Sequence, residues 1–145
     1  MFKNILLPTD GSDQSLRAAR LGIALAKQVG ARVHAYHVLA PLAAIPYFSD
    51  LIRQDPDDYH NEAVGRAQRQ LEAIHVLAEE AGVPFDGDYA FDRRPYTAIV
   101  GAARQYDCDL IVMGTHGRTG TDRLVLGSET NKVLNCADIP VLVCH

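Results

Sequence analysis

The residues best placed to do chemistry lie in one stretch, MGTHGRTGTDRLVLGSETNK, from Met113 to Lys132. It follows the apolar run CDLIV and is crowded with glycine, threonine and serine. Such a segment after a strand offers backbone amides to an anion. Gly114 allows a sharp turn, and Gly117 lets the backbone come near a ligand where a Cβ would clash. Leu124, Val125 and Leu126 are apolar enough to pin the intervening loop to the body of the protein. Gly127 and Ser128 then stand at a helix start, where unpaired amides and the helix dipole favour negative charge. Taken alone, that pair would be no more than a helix cap. The stretch lacks the Lys-Ser/Thr ending of a P-loop, and no glycine triplet fits the dinucleotide fingerprint. A phosphate site here would be divided between a turn and a helix start, with no lysine clamp.

The elements that must position these residues alternate regularly. KNILLPT (Lys3 to Thr9) reads as a buried strand closed by Pro8 and the Asp10-Gly11 turn. Ser12 caps a helix with Leu16, Ala19, Ile23 and Ala26 on one face, and Gly30 stops it. ARVHAYHVL is the second strand. From Ala40 to Gln54 two prolines break any period, so a loop with at most one helical turn is expected. Asp55, Pro56, Asp57 and Asp58 then open a long helix striped by Ala63, Ala67, Leu71, Ile74, Ala78 and Ala81 and ended by Gly82. FDGDYAFD is the third strand, followed by a helix from Pro95 with Tyr96, Ile99, Ala103 and Tyr106 inward. CDLIVMG is the fourth strand, Ser128 begins the last helix, and IPVLVC is the fifth strand. Strand alternating with helix predicts one α/β domain over residues 1–145, a parallel sheet with helices on both faces. Apolar runs such as NILL, LIVM and VLV fit strands covered on both sides. In such a sheet ligands bind beyond the carboxyl ends of the strands, at the switch point in strand order.

The totals restrict function. A formal net charge of −4 gives no sequence-wide positive field for nucleic acid. No run approaches the apolar length of a membrane span, and the first residues do not read as a secretory signal. Cys108, Cys136 and Cys144 form no CxxC and cannot all pair with one another, which fits reduced thiols in the cytoplasm.

The chain resembles the universal stress protein family, of the nucleotide-binding kind. That family's ATP-site pattern is Gly, two residues, Gly, nine residues, then Gly-Ser or Gly-Thr. Gly114, Gly117 and Gly127-Ser128 fit it without adjustment. The likeness extends to ILLPTDGS, HVL, DLIVMGTHGRTG and PVLV, and is weakest between Ala40 and Asp92. It implies a three-layer sandwich of the adenine-nucleotide alpha-hydrolase type, with a five-stranded sheet in the order 3-2-1-4-5. It also implies roles for single residues. Asp10 would accept from the adenine amino group, the Val38 backbone would hold the base edge, and Pro8, Thr9 and Met113 would line the adenine and ribose pocket. Amides around Gly114 and Gly117 would face ribose and the first phosphates, and Gly127, Ser128 and Thr130 the distal ones. Arg118 and Glu129 border the same site. The implied ligand is ATP, with ADP or AMP as alternatives and Mg²⁺ as a possible companion. The implied assembly is a homodimer through Ile139 to Cys144. Two positions depart from the pattern. Arg93-Arg94 stand where relatives often have glycine, and Glu129, often valine, would repel a polyphosphate.

Three function classes follow. The first is a stress-response regulatory module that binds nucleotide and is not a dedicated enzyme. Hydrolysis would need an oriented water, neutralised charge and usually a held metal. Asp13, His116 and Arg118 are the candidates for Mg²⁺, acid/base and charge, and each reads as an ordinary loop residue before it reads as a catalyst. The second is an adenylylating enzyme on the same scaffold, but TDGSDQS lacks the paired glycines of that first loop. The third is a phosphoacceptor receiver using Asp10, Asp92 and Thr115, for which the expected lysine and final helix do not follow strand five.

Overall fold

Short-range chemistry starts and stops the two longest of the described helices. The Ser12 hydroxyl accepts the Ser15 amide and opens one, and Gly30, at φ 71°, closes it in the left-handed conformation. Asp55 caps the next by accepting from Asp57, Pro56 occupies its first turn, and Gly82 ends it at φ 72°. The computed structural model describes residues 1–44, 55–116 and 126–145. The elements are β1 (Asn4–Thr9), α1 (Asp13–Val29), β2 (Arg32–Leu39), a 3₁₀ turn (Leu42–Ala44), α2 (Pro56–Ala81), β3 (Phe85–Phe91), α3 (Pro95–Gln105), β4 (Leu110–Gly114), α4 (Ser128–Cys136) and β5 (Val141–Cys144). The five strands pair in parallel in the order β3-β2-β1-β4-β5, as expected. The expected loop after β2 contains the 3₁₀ turn; residues 45–54 lie outside the described ones.

Two apolar layers flank the sheet. On one face Ile5, Leu7, Val33 and Val112 meet Ala19, Ile23 and Ala26 of α1 and Leu71, Ile74 and Ala78 of α2. On the other, Leu6, Tyr36, Ile111 and Met113 meet Ile99, Ala102 and Ala103 of α3 and Val133 of α4. Ile5, Leu6, Leu7, Ile74 and Ile111 are fully buried, each stabilising by about 1.5–3 kcal/mol relative to exposure. Gly22 brings α1 against β1: a Cβ there would stand 2.3 Å from Leu7 Cδ2.

The structure corrects two expectations. The VLV run is not covered on both sides: β5 takes the edge position that the expected order gives it, but Leu142 is 39% exposed. Tyr106 is not inside the third helix but its C-cap, since the backbone turns left-handed at Asp107 (φ 50°). From there the Tyr106 ring stacks on His34, centroids 3.6 Å apart, and its hydroxyl donates to Asp88 Oδ2 at 2.7 Å.

That lid leaves His34 Nε2 buried without a hydrogen-bond partner. Burial lowers the His34 pKa below 6.5; Asp86 and Asp88 oppose the shift and Arg32 adds to it. The folded state therefore binds this proton less readily than the unfolded chain. Full stability is present above pH 6.5 and is lost as the pH falls below it. Thermal midpoints measured in steps below pH 7 are expected to fall more steeply for the wild type than for His34→Gln. Parallel curves would show that His34 does not carry the dependence.

Candidate functional site

The strand order reverses between β1 and β4, so the chain leaves their carboxyl ends toward opposite faces. A cleft is expected there. On the β1 side the Asp10 carboxylate accepts the Ser12 amide at 2.9 Å, holding a turn in which Gly11 takes φ 80°. Buried Thr9 accepts the Gly11 amide at 3.2 Å and lies 3.1 Å from the Ser15 hydroxyl. Ser15 donates its one hydroxyl proton to the Ser12 carbonyl at 2.9 Å, so Thr9 is the donor in the pair. The end of β1 and the first turn of α1 are thus one hydrogen-bonded unit.

On the β4 side the last rung to β5 runs from the Thr115 amide to the Cys144 carbonyl at 2.9 Å. The Thr115 carbonyl accepts from Gly127 at 2.7 Å, which seats the start of α4 directly on the strand end. A Cβ on Gly127 would stand 2.7 Å from that oxygen and 3.2 Å from His116 Cα. Glycine is required here by close approach; φ is an ordinary −57°. Buried Thr130 adds a second fastening by donating to the Gly114 carbonyl at 2.9 Å. His116 donates its amide to Gln14 Oε1 at 3.1 Å and places Nδ1 3.1 Å from Thr115 Oγ1.

Helix α4 opens with no side-chain cap. The start of a helix is the end whose amides and dipole favour an anion. Glu129 does not cap its own helix. Its carboxylate accepts the Tyr96 amide at 3.0 Å and lies 3.3 Å from Lys132 Nζ. It supplies the cap that α3 lacks, since Arg94 at that helix start makes no side-chain cap bond.

Of the residues expected at the site, the structure brings together Thr9, Asp10, Gly114, Gly127, Ser128 and Thr130 around this junction. Pro8 and Met113 are buried in the two central strands just beneath it. Val38 lies at the same edge on β2, beyond β1, and packs with the α3-side core. Gly117 and Arg118 lie outside the described residues. Asp13 is exposed at the start of α1, and no group of three His, Cys, Asp or Glu side chains among the described residues is placed to hold a metal. Cys108 is buried and its pKa is pushed up to about 11 by that burial, reinforced by Asp109 and Asp107, which keeps it a thiol. Sequence reasoning missed Gln14 and the second role of Thr115. Nothing in their spacing marks them, because Gln14 acts only once α1 and β4 are neighbours and Thr115 only once α4 and β5 meet the end of β4.

A cavity of about 390 Å³ lies elsewhere, at the amino-terminal ends of β2 and β3. In its lining Arg32 pairs with Asp86 and Tyr106 with Asp88, while His34 Nε2 is without a hydrogen-bond partner.

This junction sits in a chain that matches the universal stress protein family over residues 1–145. The chain belongs to that family. Among its members, it is 36% identical to universal stress protein MJ0531 of Methanocaldococcus jannaschii over 99% of this chain and 82% of that protein. It is 37% identical to a universal stress protein of Thermus aquaticus, covering 99% and 98%. The solved structure of protein MJ0577 superposes with a TM-score of 0.83 at 27% identity, covering 99% of this chain and 95% of that one. A universal stress protein solved with cAMP shares the fold at a TM-score of 0.73 and 23% identity.

In this universal stress protein the atom that stands where a Gly127 Cβ would go is a backbone oxygen, that of Thr115. Gly127→Ala is expected to cost about 1–3 kcal/mol, because the new methyl must displace the Thr115 carbonyl or the start of α4. Urea unfolding would measure it; an unchanged midpoint would mean that the junction yields at no cost.

Proposed function

We propose that this protein is a cytoplasmic adenine-nucleotide-binding regulatory module that takes ATP at the β1–β4 junction, with ADP or AMP as lesser ligands. The observation that carries this reading is the uncapped start of α4 held beside the Gly114–His116 turn. Amides there supply an anion site, and the Asp10 turn supplies a carboxylate on the opposite wall for the adenine amino group. Support also comes from relatives of the fold solved in complex with cAMP and with dAMP. In this reading Pro8, Thr9, Val38 and Met113 border base and ribose, Gly117 and Arg118 extend the phosphate side, and Ser128 adds a hydroxyl. Thr130 and Glu129 contribute through their amides, since the Thr130 hydroxyl serves Gly114 and the Glu129 carboxylate serves Tyr96. Lys132 beside that carboxylate offsets part of its repulsion of phosphate. Mg²⁺ would come with the nucleotide. Retention rather than turnover fits a site built from amides, with at most slow hydrolysis.

Equilibrium binding of ATP, ADP, AMP and cAMP tests this directly; a protein that binds none of them is not such a module. Ser128→Glu places a carboxylate at the exposed start of α4, where helix propensity tolerates it. ATP affinity is expected to fall about tenfold or more while adenosine binding changes little, since the repulsion acts on phosphate. Equal losses for both would place the phosphates elsewhere.

The same reading includes a homodimer through Ile139 to Cys144. Leu142 on β5 is an exposed apolar side chain. The carbonyls of Pro140 and Cys144 bond to β4, so by strand alternation the backbone of Val143 faces the free edge. Val143→Pro therefore removes an edge donor without touching the β4 pairing, whereas proline at Leu142 would break it. Sedimentation equilibrium is expected to show dimer for the wild type and monomer for Val143→Pro. A dimer that survives this change is built through another surface.

A further inference from the structure

The turn at the end of β4 is fastened unequally. On the side of α4 it has two bonds, Gly127 N–H to the Thr115 carbonyl and the Thr130 hydroxyl to the Gly114 carbonyl. Toward β1, the side-chain bond that holds it among the described residues comes from Gln14, whose Oε1 accepts the His116 amide at 3.1 Å. That amide lies one residue past the last β4–β5 rung, so no strand partner takes it. The contact of His116 Nδ1 with Thr115 is between neighbours in sequence and cannot fix the turn against β1.

Gln14 can do this because it springs from a fixed base. It lies in the first turn of α1, which Ser12 caps and which Ser15 ties to Thr9. The same turn packs on Gly114: a Cβ there would lie 3.4 Å from the Gln14 Cβ, carbonyl carbon and carbonyl oxygen. The β4 turn therefore rests on Gln14 in two ways, through backbone packing at Gly114 and through the side-chain amide at His116.

We infer that Gln14 is a positioning residue of the nucleotide site, setting the spacing between the β1 wall, which would take the base, and the β4 turn, which would take ribose and the first phosphates. It does so without touching the ligand. The inference rests on the nucleotide-binding reading above and names a residue that the glycine pattern does not contain. Loss of the acceptor frees the His116 amide and lets the turn relax away from α1.

The experiment compares Gln14→Leu, which keeps the bulk and loses the acceptor, with Gln14→Glu, which keeps the acceptor. Amide ¹H–¹⁵N spectra of nucleotide-free protein and equilibrium binding of ATP and adenosine are recorded for each. In Gln14→Leu the His116 amide is expected to move upfield, and affinity for both ligands to fall about three- to tenfold, the range of one lost hydrogen bond. In Gln14→Glu the His116 amide and the adenosine affinity are expected to return toward wild type, because a carboxylate oxygen accepts the same bond. Should Gln14→Leu not fold, Gln14→Met carries the same readings. A His116 resonance that stays in place, wild-type ATP affinity in the leucine variant, or no recovery of adenosine binding with glutamate would each overturn the inference. A wild-type protein that binds no adenine nucleotide overturns the functional reading itself, whereas wild-type binding with no effect at Gln14 overturns only this inference.

Discussion

A hydrogen bond of 2.7 Å from Gly127 N–H to the Thr115 carbonyl holds the start of α4 on the end of β4. The rest of the site depends on it. Without that seat the amides of α4 would point into solvent at no defined distance from β4, and the gap between Gly114 and Ser128 could not be spanned by one ligand. The bond also explains the glycine, because the partners are so close that no Cβ fits between them. Binding chemistry and packing thus meet at one position. A residue that resembles a ligand contact in sequence is first of all a structural necessity.

The second constraint is the division of labour between the two faces of the sheet. Helices α1 and α2 cover one face and α3 and α4 the other. The strands at the centre, β1 and β4, send their chains to opposite faces, which opens the edge between them. Each rim is then held by its own network: Thr9, Asp10, Ser12 and Ser15 on one side, and Gly114, Thr115, Gly127 and Thr130 on the other. Buried hydroxyls serve both rims because each can satisfy a backbone group where water is excluded.

Glu129 shows how context changes the sign of a residue's effect. Beside an anion site its charge is unfavourable, yet across the interface between α4 and α3 it provides the acceptor that the start of α3 lacks. Lys132, one turn further on, shares the carboxylate. The site and the α3 start, which follows Arg93-Arg94, are therefore joined through one side chain.

Much of this was legible in the sequence. Gly30, Asp55 with Pro56, and Gly82 act within a few residues of themselves, so their meaning survives without a fold. The alternation of apolar strands and helical stripes led to the parallel sheet, and the glycine spacing led to the junction. What sequence alone determined was local: caps, turns, periods, and the grouping of Gly114 with Gly127-Ser128. Tertiary structure decided what depends on neighbours far apart in the chain. It set Tyr106 at the end of its helix against His34, sent the Glu129 carboxylate to Tyr96, and brought Gln14 to His116, 102 residues away. These outcomes follow from which elements lie side by side, and one-dimensional spacing carries no record of that until the sheet has assembled.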